Sequence, residues 1–209
     1  MTTLRKRASS RRWLTEHFKD EYVKRAQREG FRSRAVYKLD EINTKDKLLR
    51  PGLTVVDLGA APGGWSQYCL PRICPGGQII ALDRLAIEPL PGVTVLQGDF
   101  REQAILDELM RVLAGRPVDL VLSDMAPNTS GVKAVDQPRA MDLAELAVDF
   151  AQRCLRPGGH LLVKIFQGEG FDALLQTVRR DFDKVLIRKP AASRARSSEL
   201  YLLAKDYAR

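Results

Sequence analysis

The stretch Asp57-Leu58-Gly59-Ala60-Ala61-Pro62-Gly63-Gly64-Trp65 decides how the rest of the chain is read. It continues a short β-branched run, Thr54-Val55-Val56, and leads into a helical pattern over residues 65–73. The small residues between Leu58 and Trp65 let the backbone turn tightly and come close to a ligand, with the unpaired N–H groups of a helix start beside it. A strand, a small-residue turn and a helix in that order make the first half of a βαβ unit. In open sheets of this kind, ligands bind beyond the carboxyl ends of the strands. A glycine turn alone is weak evidence for a cofactor, because βα loops also use glycine for steric reasons.

Downstream, short β-rich runs over residues 78–82, 94–96, 118–122, 160–165, 184–187 and 200–204 follow the first at 54–58. Helical patterns over 65–73, 101–113, 140–154 and 170–181 alternate with them. Strands alternating with helices imply right-handed crossovers and a mostly parallel sheet covered on both faces. The last two strands have little between them and should pair as an antiparallel hairpin. The expected fold is therefore α/β and Rossmann-like: seven strands, mostly parallel, with an antiparallel last strand and helices on both faces. Upstream, Ser9 or Ser10 is placed to cap a helix through Trp13, Phe18 and Tyr22 as far as Gly30. Ser33 is placed to cap a second through Val36, Leu39 and Ile42.

With 209 residues and 44% hydrophobic side chains, the chain is the size of one domain and has enough apolar surface to offset the entropy of ordering a core. Disordered, collagenous and mucin-like classes are excluded. No apolar run approaches the roughly 20 residues of a membrane span, and the N-terminus lacks the apolar stretch of about 7–15 residues that export requires. Three cysteines without a C-x-x-C pair, beside only two histidines, form no recognisable zinc site and read as thiols in a reducing cytoplasm. No bound metal is expected. The formal charge is +8, and its placement is uneven: residues 1–50 carry 15 Lys/Arg against 7 Asp/Glu, whereas residues 51–209 carry 19 of each. Residues 51–178 are acidic, and residues 179–209 are basic again. Residues 1–50 read as a basic helical extension for a polyanion such as RNA, and residues 51–209 as a catalytic domain.

The strand ends give the pocket its chemistry. Asp83 lies 26 residues after Asp57, about where an acidic residue bonds a ribose in dinucleotide folds, and Asp99 ends the next strand. A diphosphate is disfavoured, because the G-x-G-x-x-G alignment puts Ala61 where the backbone meets the pyrophosphate, and Pro62 removes an N–H donor. This weighs against a nicotinamide dinucleotide. An adenosine without phosphates and with a cationic centre suits an acidic surround, and S-adenosylmethionine is such a ligand. Further along, Lys164 sits in the apolar run Leu161-Leu162-Val163-Lys164-Ile165-Phe166, where an unpaired ammonium is costly. Taken alone, it could be a structural ion pair as readily as a catalytic group.

Three segments together resemble the FtsJ/RrmJ ribosomal RNA 2′-O-ribose methyltransferases: Asp57 to Gln67, Ser123-Asp124-Met125-Ala126-Pro127-Asn128, and Val163 to Gly170. The resemblance extends to Ser193 to Glu199 and to the Leu14 to Leu39 region. It implies that Gly63, Trp65, Asp83, Asp99 and Asp124 contact S-adenosylmethionine. It also implies a catalytic tetrad of Lys38, Asp124, Lys164 and Glu199, with Lys164 steering a ribose hydroxyl and accepting its proton. An ordinary lysine titrates near 10.4, so such a role at neutral pH asks for burial or a neighbouring cation. The basic groups Arg32, Arg34, Lys38, Arg194 and Arg196 are the expected RNA contacts. The implied substrate is a uridine of 23S ribosomal RNA in the assembled large subunit, modified in the cytoplasm by a monomer. A ribosome-assembly factor that binds RNA and keeps a vestigial pocket is the alternative.

Overall fold

The computed structural model describes residues 20–128, 130–194 and 197–209. The helix expected from Ser9 or Ser10 through Trp13 and Phe18 lies outside them, as does Arg196. In chain order the elements are α1 (Glu21–Arg28), α2 (Val36–Asp46), β1 (Thr54–Leu58), α3 (Gly64–Ile73), β2 (Gln78–Asp83), β3 (Val93–Gln97), α4 (Gln103–Leu113), β4 (Val118–Ser123), α5 (Lys133–Cys154), β5 (Leu155–Phe166), α6 (Phe171–Asp181), β6 (Phe182–Arg188) and β7 (Glu199–Tyr207).

The seven strands form one sheet in the order β3-β2-β1-β4-β5-β7-β6. Strands β1 to β5 pair in parallel, and β7 runs antiparallel between β5 and β6. The order reverses between β1 and β4, which puts the switch point beside the small-residue loop. The expected hairpin of the last two strands forms, but β7 is inserted inside and β6 takes the edge. Tyr201 to Ala204 of β7 are fully buried, whereas β6 exposes Asp183 and Lys184, and charge on an edge strand discourages further pairing. Helix α5 begins at Lys133 rather than near Ala140 and runs through Pro138, forfeiting one backbone bond there.

Each strand alternates its side chains between two apolar layers. Val56, Ile80, Val121, Val163 and Leu202 pack against α4, α5 and α6. Val55, Ile79, Leu120, Leu162 and Leu203 pack on the other face with Val36, Leu39 and Ile42 of α2 and Trp65, Tyr68 and Ile73 of α3. Helix α2 thus belongs to the sheet's own core, and Arg188 of β6 grips Asp46 at its last turn with two bonds of 2.7 and 2.6 Å. Ser33 does not occupy the cap position of α2, which falls on Ala35. Its Oγ accepts from the Ala35 N–H at 3.1 Å and shapes the turn just before the helix.

Candidate active site

Backbone bonds stitch the carboxyl ends of the central strands into one platform. The N–H groups of Gly59 and Ala60 donate to the Leu82 carbonyl at 2.9 and 3.2 Å, that of Gly98 to Asp83 at 2.9 Å, and that of Asp124 to Leu58 at 3.1 Å. Gly59 has φ of 75°, and a Cβ there would lie 2.8 to 2.9 Å from Met125 main-chain atoms, so the loops after β1 and β4 touch only because this residue has no side chain. Gly63, with φ of 102°, caps α3. Its N–H donates to Ala60 at 2.6 Å and its carbonyl accepts from Gln67 at 2.9 Å.

The four charged residues singled out in the sequence converge beside this platform. Lys164 and Tyr201 are direct partners across the antiparallel β5–β7 ladder, and Glu199 lies two residues before Tyr201 on the same face. Asp124 follows the end of β4, and α2 brings Lys38 over that face. The Lys164 Nζ donates to both the main-chain carbonyl and Oδ1 of Asp124 at 2.8 Å. The Lys38 Nζ lies 2.7 Å from Glu199 Oε1. Both lysines are buried, at 7% exposure for Lys38 and 8% for Lys164, a depth at which a charge persists only when paired.

Tyr201 is the member the sequence did not disclose. Its hydroxyl donates to Asp124 Oδ1 at 2.7 Å, and its ring centroid lies 5.7 Å from Lys38 Nζ. Period-two alternation from Glu199 was the available signal. Burial would push the Asp124 carboxyl up, but the charges of Lys164 and Lys38 and the bonds from Lys164 and Tyr201 outweigh it and hold the group below the usual carboxylate range. Glu199 is likewise held low against its burial, chiefly by Lys38. Burial, reinforced by Asp124 and Glu199, pushes the Tyr201 hydroxyl far up, so it remains a donor.

The expected cofactor residues line the neighbouring strand ends. Asp83 closes β2 and accepts from the N–H groups of Ala61 at 3.0 Å and Leu85 at 2.8 Å. Asp99, beyond β3, is bonded by Arg101 and held at about 2 by it. Trp65 departs from a simple side-chain role: the residue is 3% exposed, and its indole donates to the Ala35 carbonyl at 2.8 Å and packs 5.8 Å from the Tyr201 ring. Only its main chain, in the first turn of α3, is left for a ligand. Beneath the loop, Asp57 is 1% exposed with Oδ2 accepting from Ser66 Oγ at 2.7 Å, and burial pushes its carboxyl up to about 7.

The expected RNA contacts divide. Arg34 is committed to the protein, pairing with Asp20 at 3.0 Å and donating to the Ala192 carbonyl at 2.6 Å. Arg32 is also committed, to main-chain carbonyls around the loop. Arg194 is partly exposed close before Glu199. Among the described residues, no group of three or more His, Cys, Asp or Glu is placed to hold a metal, and no helix is long and apolar enough to cross a membrane.

A family model described as FtsJ-like methyltransferase matches residues 31–207. Relatives called ribosomal RNA large subunit methyltransferase E align over nearly their whole length. That of Legionella pneumophila (strain Corby) is 60% identical over 199 residues, 95% of this chain and 97% of the relative. That of Pseudomonas aeruginosa PAO1 is 60% identical over 199 residues, 95% of this chain and 96% of the relative. A Plasmodium falciparum crystal structure assigned as a ribosomal RNA methyltransferase superposes with a TM-score of 0.76 at 29% identity, covering 86% of this chain and all of that one.

Proposed function

Because the chain belongs to the FtsJ-like methyltransferase family, we propose that it moves a methyl group from S-adenosylmethionine to the ribose 2′-hydroxyl of a uridine in 23S ribosomal RNA. The target is the assembled large ribosomal subunit, and the enzyme acts as a monomer in the cytoplasm. The observation that carries this reading is the pair of buried couples, Lys164 with Asp124 and Lys38 with Glu199, set beside the strand-end carboxylates.

The loop suits a phosphate-free, cationic donor. Pro62 has no N–H to offer a phosphate, and Asp83, Asp99 and Asp124 put three carboxyl groups beyond neighbouring strand ends. Asp83 and Asp99 would hold the adenosine, Gly63 and the Trp65 main chain would bound it, and Asp124 would face the positive sulfur. When bound, S-adenosylmethionine supplies an electrophilic methyl group on a sulfonium.

The chain's own residues handle the acceptor. A 2′-hydroxyl is a poor nucleophile, so its oxygen must be oriented and its proton received. In the amine form, Lys164 has two hydrogens, and Asp124 provides two oxygens at 2.8 Å to take them. The remaining position on Nζ is the lone pair, which orients the hydroxyl and takes its proton as the methyl arrives. Lys38, fixed by Glu199, offers a cation near the oxygen as negative charge develops. The Lys38 charge and the hydrogen bonds from Tyr201 and Lys164 hold Asp124 as the carboxylate this arrangement needs. The basic N-terminal segment, with Arg194 and Arg196, attracts the RNA backbone.

Labelled S-adenosylmethionine offered with free 23S RNA and with unmethylated large subunits tests the proposal. Label on one uridine ribose, favoured in the subunit, is expected. Label on a base, or none on either substrate, would overturn it.

A further inference from the structure

We infer that Arg32 is a positioning residue for the cofactor loop and not an RNA contact. Its guanidinium bridges the two loops that flank the candidate donor site. Nη1 donates to the Glu88 carbonyl at 2.6 Å and to the Pro62 carbonyl at 3.3 Å, and Nη2 donates to the Pro89 carbonyl at 2.9 Å. Pro62 belongs to the turn after β1, while Glu88 and Pro89 belong to the turn after β2. The Pro62–Gly63 peptide is consequently held at both ends: Arg32 takes the carbonyl, and the Gly63 N–H donates to Ala60 at 2.6 Å.

The surrounding segment is fitted to the same loop. The Arg32 main-chain N–H donates to Gln67 Oε1 at 2.9 Å, and Gln67 Nε2 donates to the Gly30 carbonyl at 2.8 Å, so a side chain in the first turn of α3 grips residues 30 to 32. A Cβ on Gly63 would lie 3.0 Å from Arg32 Nη1, and one on Gly64 would lie 3.0 Å from Ser33 Cβ. The left-handed φ of 102° is what requires glycine at 63, whereas at 64 the close approach of Ser33 is what favours it. A guanidinium is suited to this bridge because its rigid fork carries five donors, whereas an ammonium is a single point that cannot reach all three carbonyls at once. Phosphate attraction makes no such distinction, since lysine also serves there.

This inference rests on the proposed assignment of the loop to S-adenosylmethionine. Calorimetric titration of S-adenosylmethionine into wild-type protein, Arg32→Lys and Arg32→Ala, without RNA, separates the roles. Loss of the bridge lets the loop populate other conformations and lowers apparent affinity by the fraction that remains competent. Both variants should bind about tenfold or more weakly. In steady state, KM for S-adenosylmethionine should rise while kcat at saturating donor and KM for the ribosomal substrate stay near wild type. Gln67→Ala should shift donor affinity in the same direction. Unchanged donor affinity in Arg32→Ala, or weakened RNA binding restored by Arg32→Lys, would overturn the positioning role. Failure of the wild-type protein to bind S-adenosylmethionine would instead overturn the assignment of the loop, and the inference with it.

Discussion

Lys164 was conspicuous in the sequence because a charge amid fully buried strand residues must have a partner. Its partner, Asp124, was legible as the residue at a neighbouring strand end. Tyr201 was not, since a tyrosine in an apolar strand looks like core until the ladder register sets it opposite Lys164. Tyr201→Phe keeps the ring but removes a donor from a buried carboxylate, an omission that costs about 1–3 kcal/mol. Denaturant melts should show a loss of that order, and single-turnover assays a slower transfer. Asp57 yields a pH prediction. An aspartate in an unfolded chain titrates near 3.9, whereas burial, partly relieved by Ser66, pushes Asp57 up to about 7. Between those values the folded protein binds the extra proton, so the stability contributed by this group falls as pH rises from about 4 to 7. Asp57→Asn keeps an acceptor for Ser66 and removes that fall. The Tm advantage of the variant should grow between pH 5 and pH 8, and parallel Tm curves would refute it.

At the scale of elements, the strand positions could be read because β-branched runs alternate with helical ones, and the small-residue turn marks the sheet's switch point. The edge position of β6 and the insertion of β7 could not, because chain order is silent about pairing order. Arg32 shows the same limit among loops. In the sequence it is one more basic residue in a basic segment, and only the fold brings Pro62, Glu88 and Pro89 to its guanidinium. The close approach of the β1 and β4 loops gives a sharp test. Gly59→Ala forces a left-handed φ on a residue with a Cβ and drives that atom onto the Met125 backbone. The expected cost is at least about 2 kcal/mol in denaturant unfolding, with donor affinity falling in parallel. An alanine variant as stable as wild type would show that the loops do not meet so closely.

At the scale of the whole molecule, a charge of +8 is the sum of a basic N-terminal quarter, a basic C-terminal end and an acidic middle. The acidic middle supplies the strand-end carboxylates, and the ends supply charge for a polyanion. Residues 1–19 alone contain six Lys/Arg and one Glu. If they pair with phosphates, RNA affinity falls steeply with salt, and deleting them flattens log K against log salt by about 0.7–0.9 for each phosphate no longer neutralised. Filter binding between about 50 and 200 mM salt measures this slope. An unchanged slope would move the RNA surface elsewhere.

Single-turnover methyl transfer by Lys164→Ala, paired with calorimetry of its S-adenosylmethionine binding, tests the central claim most directly. The predicted result is nearly complete loss of ribose methylation on large subunits, with donor affinity close to wild type. Near-normal turnover would contradict the assignment of Lys164 as the group that receives the hydroxyl proton.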